Sequence, residues 1–436
     1  MLAAGMGTRM KSVLPKVMHP VANRPMVAHL LETVAELTPD RVVVVIGPGM
    51  EPVAAAVAPH ATVEQTERLG TGHAVAQAQA LLEDFMGTVL VLYGDTPLMT
   101  LPTLRALLAR RAESDQPSAV VLGFRPNDPA EYGRLITSPT GLEAIIEFRD
   151  ATPEQRAINL CNSGVMALDG ATLWGLLSRV GNDNAKGEYY LTDLIGLARA
   201  DGLACAYVEG SEAELLGVNS RADLAMAEAI AQTRLRQAAM ANGATLQDPA
   251  SVRFSWDTKI GRDVVIQPNV VFDPGVVIGD NVEIKAFCHL AGVTVGDGCT
   301  IGPFARLRPG AKLGEGAHVG NFVEIKNAAI EAGVKVNHLS YIGDARIGTG
   351  TNVGAGTITC NYDGHRKHHT DIGANVFVGS NSAFVAPVTI GDGAVIGAGS
   401  VITTDVSPGA VAVGRGAQTE IPGAAARFHA KRSVKK

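Results

Sequence analysis

Between Ile260 and Ile402 an aliphatic residue returns every six positions, usually followed by glycine. The beat reads Ile260, Ile266, Phe272, Ile278, Ile284, Leu290, and after a one-residue slip Val295, Ile301, Leu307, Leu313, Val319, Ile325. A second slip leads to Ile330, Val336, Ile342 and a third to Ile347, Val353. Past an interruption it resumes at Ile372, Val378, Phe384, Ile390, Ile396, Ile402. Six is neither the period of a helix nor that of a strand, so no single amphipathic element explains the pattern. It predicts a parallel β-helix in which each hexad forms one flat wall. The aliphatic residue points to the axis, and Gly or Asn turns the corner. Three walls close a turn of about eighteen residues, and stacked coils satisfy each other's main-chain hydrogen bonds around a continuous core.

The first half follows a different rhythm. Arg41–Gly47 and Gly87–Tyr93 read as buried strands, with helical patterns over Pro25–Leu37 and Thr71–Leu82 between them. Strands alternating with helices predict an α/β doubly wound, parallel sheet whose ligands gather at the carboxyl ends of the strands. Ser220-Arg221-Ala222-Asp223 is a helix start, and Asn242-Gly243 stops the Ala-rich run that follows. Leu224, Ile230 and Leu235 share roughly one face of it. The expected organisation is an α/β domain over 1–219, a connecting helix over 220–242 and the repeat domain over 243–436.

Composition sharpens this picture. The 436 residues, 46% of them hydrophobic, allow two or three domains with real cores, and 49 glycines with only 5% aromatics suit a solenoid of tight corners. A net charge of −6 offers no field for a phosphate backbone, so no nucleic-acid partner is expected. The basic end Lys431, Arg432, Lys435 and Lys436 reads as a loose tail. Cys161, Cys205, Cys288, Cys299 and Cys360 lack metal-ligand spacing and fit reduced thiols in a cytoplasmic protein. No apolar run is long enough to span a membrane and no signal sequence precedes Leu2, so neither a membrane partner nor secretion is expected.

The chain opens on Leu2-Ala3-Ala4-Gly5-Met6-Gly7-Thr8-Arg9-Met10, then Pro15-Lys16. Such a turn lets backbone amides approach a phosphate while Arg9 and Lys16 bring positive charge. The run resembles the signature of sugar-1-phosphate nucleotidyltransferases. A turn of this kind leaves the end of a buried strand, so about half a dozen apolar residues are expected upstream of Ala3, where only Met1 and Leu2 stand. Asp95, in Tyr93-Gly94-Asp95-Thr96-Pro97, sits at a strand's carboxyl end, where a carboxylate can hold Mg²⁺ on nucleotide phosphates or simply open a turn. In Gln65-Thr66-Glu67-Arg68-Leu69-Gly70-Thr71-Gly72-His73, Gln65 and the Gly70-Thr71 backbone can pair with a uracil edge, and His73 reads as structural. This phrase is similar to the uridine-reading loop of uridyltransferases that make UDP-N-acetylglucosamine. The resemblance implies a glycine amide of Gly133 near the sugar, Glu147 accepting sugar hydroxyls, Asn162 on sugar or ribose, and Asn219 as second metal ligand beside Asp95. The run Lys186–Asp193 would line the sugar end. Leu160-Cys161 departs from the family's usual residues ahead of Asn162.

The interruption of the beat, Thr359 to His369, is a polar, basic insertion that a solenoid does not need. Its His365, His368 and His369 sit beside Arg366 and Lys367, which favours phosphate or coenzyme over a metal. Together with Arg308, Lys326, His338, Tyr341 and Asn352, the repeat resembles hexapeptide-repeat acyltransferases, which coil left-handedly. Nearly the whole chain resembles the family of bifunctional N-acetylglucosamine-1-phosphate uridyltransferases and glucosamine-1-phosphate N-acetyltransferases. That resemblance implies Arg308 and Lys326 on the sugar phosphate, Tyr341 and Asn352 on the ring, and His338 as general base. It also implies Asn361 and Tyr362 at the acetyl end, with Ala355, Ser380, Ala398 and Arg415 on acetyl-CoA. Leu2, Ala3, Ala4, Gly5, Tyr93, Gly94 and Thr71 would surround UTP and N-acetylglucosamine-1-phosphate, with Arg9 and Lys16 offsetting charge. A homotrimer is implied, with the acetyl site between subunits. Three alternatives stay open: a transferase for another nucleotide or sugar, an acetyltransferase with an inactive first half, and a non-enzymatic regulatory subunit.

Overall fold

The computed structural model describes residues 1–129 and 131–433, with the backbone alone for 431–433; Lys435 and Lys436 of the expected loose tail lie outside the described residues. The chain divides into two compact units, Met1–Arg234 and Leu235–Lys436.

In the first unit the apolar run around Val43–Ile46 pairs in parallel with Ala61–Glu64. The chain start lies beside it. Leu2 bridges Val45 on one side and Tyr93 on the other, both in parallel register, and the Gly94 amide donates to the Leu2 carbonyl at 2.9 Å. The glycine-rich turn and the Tyr93-Gly94-Asp95 turn therefore leave the sheet at the same end. Beyond Thr88–Val91 the sheet differs from the all-parallel expectation. The strand Cys161–Asp169 runs antiparallel to Thr88–Val91 and to Ala119–Phe124, and Cys205–Glu209 then pairs in parallel with Ala119–Phe124. The cause is the hairpin of Arg134–Ser138 and Gly141–Ile146. It returns the chain without a crossover helix, so the next strand enters in the opposite sense.

The second unit is the prism that the six-residue beat predicts. One wall stacks Val265–Ile266, Glu283–Ile284, Thr300–Ile301, His318–Asn321, Lys335–His338 and Asn352–Val353, and two further walls stack in the same parallel sense. Every residue of the beat from Ile266 to Ile402 is buried; Ile260, at the open end, is only partly so. The slips leave the walls in register, with Ile278 on Val295 and Ile325 on Ile342. At the interruption Ile347 pairs with Ile372 and Ile358 with Ala383, so the insertion is extruded at one corner while the coils continue beneath it. Helix Arg221–Ala241 spans the boundary between the units: Leu224 and Ile230 pack on Met10, Val21 and Met26, and Leu235 packs on the solenoid core. Among the described residues no helix is long and apolar enough to cross a membrane.

Ahead of Leu2 the facing edges of Val43–Ile46 and Thr88–Val91 flank an apolar cavity of about 200 Å³, with Val34, Leu37, Leu82, Phe85 and Trp174 in its lining. The Met1 main-chain nitrogen donates to the Val43 carbonyl at 2.8 Å. The apolar walls on both sides suit one more parallel strand. A variant carrying five aliphatic residues ahead of Met1 should therefore melt higher. Each buried aliphatic side chain contributes about 1.5–3 kcal/mol before ordering costs, so a net gain of a few kcal/mol is expected. An unchanged calorimetric profile would show that the cavity does not take a strand.

Candidate functional sites

At the sheet end of the first unit, Leu2, Ala3, Ala4, Gly5, Lys16, Gln65, Gly70, Thr71, Tyr93 and Asp95 line a single cavity of about 250 Å³. Gly7 at φ 63° starts the short helical turn Thr8–Met10, and Pro15 precedes a second, Lys16–Met18, that carries Lys16 back to the opening. The Lys16 ammonium donates to the Asp95 carboxylate and, at 3.0 Å, to the Asn219 side-chain oxygen. Asn219 is held from behind: Asp223 accepts its amide at 2.9 Å and that of Ser220 at 2.8 Å, at the start of helix Arg221–Ala241. Two oxygen donors thus converge on one cation. Hard oxygen ligands of this kind fit a divalent ion of the Mg²⁺ class.

The loop ahead of Thr71 is fixed by its own residues. The Gln65 amide donates to the Gly70 carbonyl at 3.1 Å and meets His73 Nδ1 at 3.2 Å, while His73 Nε2 meets Gln77, so His73 is structural. A Cβ on Gly70, at φ 109°, would lie 2.6 Å from the Tyr189 carbonyl oxygen, which pins this loop under the run Lys186–Asp193. Tyr93 leads to the remaining residues. Gly164 leaves room for its ring, and the Asn162 side-chain oxygen accepts the Gly164 amide at 2.9 Å. The Asn162 amide donates to the Gly133 carbonyl at 2.8 Å. The Thr192 hydroxyl donates to Glu147 at 3.3 Å, and burial raises the Glu147 carboxyl above its ordinary pKa despite that bond. Arg9 is not drawn into this group and stands exposed.

On the prism the candidates fall on two corners of one wall. At the first corner the Leu339 amide donates to Asn321, Gly356 to His338, Asn381 to Ala355 and Gly399 to Ser380, so His338, Ala355, Ser380 and Ala398 stand coil above coil. The Arg415 guanidinium reaches the Ala398 carbonyl. Across the wall of Glu324 and Tyr341 lies the second corner. Arg308 donates to Glu324 at 2.7 Å. Lys326 sits against Lys367, whose ammonium, followed by desolvation and Arg308, pulls its pKa below the ordinary lysine value. Asp344 accepts Asn327 at 2.6 Å and also Asn361, whose amide reaches the Tyr341 hydroxyl at 3.5 Å. Burial alone would raise the Asp344 carboxyl; those two hydrogen bonds and the charges of Lys367 and Lys326 hold it below its usual pKa. Asn352 stands on the neighbouring wall, in register with Lys335.

The insertion is an ordered hairpin. Tyr362 bridges Lys367, and its hydroxyl donates to the Gly364 carbonyl at 2.6 Å. Asp363 accepts the amides of His365 and Arg366 and meets His368 Nε2 at 2.7 Å. Among the described residues no group of three or more His, Cys, Asp or Glu side chains is placed to hold a metal ion. Arg68 and Glu188 in the first cavity, and Lys367, Asp344 and Glu324 on the prism, were not singled out by motif. Arg68 and Lys367 lie inside the two phrases that drew attention, whereas nothing local marks Asp344.

A family model for the MobA-like NTP transferase domain matches residues 1–158, and the bacterial transferase hexapeptide model matches 257–292, 292–327 and 369–404. These matches agree with the doubly wound first unit and with left-handed coiling of the second. The interval between the last two hexapeptide matches holds His338, Tyr341 and the insertion. A protein of Paramagnetospirillum magneticum named "Bifunctional protein GlmU" is 66% identical over 435 residues, covering 100% of this chain and 97% of that protein. Proteins of the same name from Rhodospirillum rubrum and Azorhizobium caulinodans are 65% and 57% identical, covering 98% and 100% of this chain and 96% and 98% of theirs.

The hairpin carries a pH prediction. The Arg366 amide, His368 and the His365 amide hold the Asp363 carboxyl far below the usual carboxylate range. A depressed folded-state pKa stabilises above the unfolded value and is lost only as pH falls through the folded one. The Tyr362–Lys367 pairing should therefore persist below pH ~3.9, where a free aspartate takes up its proton. Carbon NMR of Asp363 checks this, and a midpoint in the ordinary range would show that the hairpin does not hold.

Proposed function

Because this chain belongs to the family of bifunctional GlmU proteins, we propose that its two sites catalyse successive steps to UDP-N-acetylglucosamine. The protein is a transferase with acetyltransferase and uridyltransferase activities. The observation that carries the division of labour is that each unit contains its own group of converging polar residues.

In our reading the prism binds glucosamine-1-phosphate across the wall that carries Tyr341. Arg308 and Lys326, joined by Lys367, neutralise the phosphate, and Tyr341 and Asn352 fix the ring. His338 takes a proton from the 2-amine as its nitrogen attacks the acetyl carbonyl. The column from Ala355 through Ser380 and Ala398 to Arg415 runs four coils from His338. At about 4.8 Å per coil that is roughly 19 Å, a suitable track for an extended thioester arm, with Arg415 at the phosphate end and Asn361 and Tyr362 at the acetyl end.

In the first unit Gln65 and the Gly70-Thr71 backbone read the uracil, and Leu2 to Gly5 lie against the phosphates. Gly133, Glu147 and Asn162 hold the sugar. The phosphate oxygen of N-acetylglucosamine-1-phosphate attacks the α-phosphorus of UTP and pyrophosphate leaves, with Lys16 offsetting charge on the phosphates and Arg9 able to close from solvent. Asp95 and Asn219 would hold Mg²⁺, which when bound neutralises phosphate charge. A cytoplasmic setting agrees with these substrates and with five free cysteines.

A homotrimer is the assembly we favour. Phe287, Phe304 and Phe322 stack at 4.9 and 5.0 Å on the corner that also carries His338, and each is about half exposed in the single chain. An exposed apolar ladder of this kind supports contact with a second copy.

His338→Ala should lower thiol release from acetyl-CoA with glucosamine-1-phosphate by roughly 10²–10⁴-fold, the usual contribution of a general base, and leave pyrophosphate release unchanged. Asp95→Asn should do the reverse. Loss of both activities in either variant would refute the division. Phe304→Glu should yield monomers by sedimentation that keep uridyl transfer and lose acetyl transfer; an active monomer would refute the shared site.

A further inference from the structure

Resting on the reading of His338 as the base, the geometry points to Asn321 as the residue that sets its tautomer. We infer that the Asn321 side-chain oxygen accepts the His338 Nδ1–H and so leaves the lone pair on Nε2 for the sugar amine.

The two side chains meet at 2.6 Å, His338 Nδ1 to Asn321 Oδ1. An amide oxygen only accepts, so the ring must carry its proton on Nδ1, and a neutral imidazole then has its acceptor on Nε2. An exposed imidazole free in water is found mainly with the proton on Nε2, the wrong form for a base acting through that atom. His338 is exposed, so solvent alone would leave it largely in that form. Nor is the pairing a chance surface contact. Asn321 and His338 are register partners on adjacent coils, and the Leu339 amide donates to the Asn321 carbonyl at 3.0 Å. Gly320 permits this approach, because a Cβ there would collide with the Asn337 carbonyl. The His338 carbonyl is also held, by the Ser340 hydroxyl at 2.8 Å. Backbone and ring are thus both fixed relative to the coil below.

During the reaction the amine nitrogen forms its bond to the acetyl carbon and loses a proton to Nε2. The imidazolium shares its charge with the Asn321 oxygen through Nδ1–H. The C–S bond breaks, sulfur leaves with the electron pair, and the proton passes from Nε2 to the thiolate, restoring the starting tautomer.

The test pairs kinetics with histidine-selective ¹⁵N NMR, His338→Gln identifying the signal. In the unaltered protein above pH 8, His338 should show the Nδ1–H form. Asn321→Ala should return it to Nε2–H and lower kcat of acetyl transfer roughly 10–100-fold, a part of what the base contributes, with KM for both substrates within about twofold. Asn321→Asp, which still only accepts, should keep the Nδ1–H form and most of kcat. An Nε2–H signal in the unaltered protein, or Asn321→Asp as impaired as Asn321→Ala at equal melting temperature, would overturn the inference. So would full kcat in Asn321→Ala alongside an inactive His338→Ala. Full activity in both His338→Ala and Asn321→Ala would instead overturn the reading of His338 as base.

Discussion

Main-chain hydrogen bonding between successive coils is the constraint from which the second half of this molecule follows. It fixes the spacing of coils at about 4.8 Å and places each outward residue directly above its equivalent in the coil below. A site on such a lattice is built in columns. Asn321, His338, Ala355, Ser380 and Ala398 occupy one column because each coil donates an amide to the last at that corner. Arg308, Lys326 and Asp344 gather at the other corner of the same wall, beneath the insertion that carries Asn361 and Lys367. The wall between them is one hexad wide, the span that the proposed sugar-phosphate site would bridge.

The first half solves the same problem by other means. Its polar groups come from turns at one end of a sheet, and close approach rather than repetition fixes them. Gly70 admits the Tyr189 carbonyl, and Gly164 admits the Tyr93 ring at a distance no Cβ would tolerate. Asn219 is set by the cap of the helix that follows it. Each support is individual, which is why motifs in this half are dense in glycine and short polar residues.

That difference explains what could be read from the sequence. The prism was legible almost residue by residue, because a six-residue period has few physical realisations and the buried position of each hexad repeats. In the first half the apolar runs announced their strands, but the reversed entry of Cys161–Asp169 did not, since pairing direction is decided by distant partners. Motif-bearing residues such as Lys16, Gln65 and Asp95 could be picked out and lie around one cavity, whereas Arg9, drawn to the same place by its motif, stands in solvent. Asn321, Glu324 and Asp344 carried no signal. An Asn or Asp on a solenoid surface has ordinary chemistry until coil stacking puts it beside a histidine or a lysine pair.

Charge shows why those unmarked carboxylates matter. The chain as a whole is negative, yet Arg308, Lys326 and Lys367 crowd one corner, and Lys326 is already destabilised in its charged form by its neighbours. Without an anion such a cluster would repel itself. Glu324 on Arg308 and Asp344 near both lysines temper that repulsion. The two acids differ in how firmly they are held. The Arg308–Glu324 pair is partly exposed, and pairs of that kind contribute about 0–1 kcal/mol, so in the proposed reading a phosphate dianion would displace Glu324 at little cost. Asp344 is buried and bound by two amides, and it stays as the fixed counter-charge. In the proposed reading the corner would exchange one mobile carboxylate for one phosphate while the contacts of Asn361 to Asp344 and Tyr341 are kept.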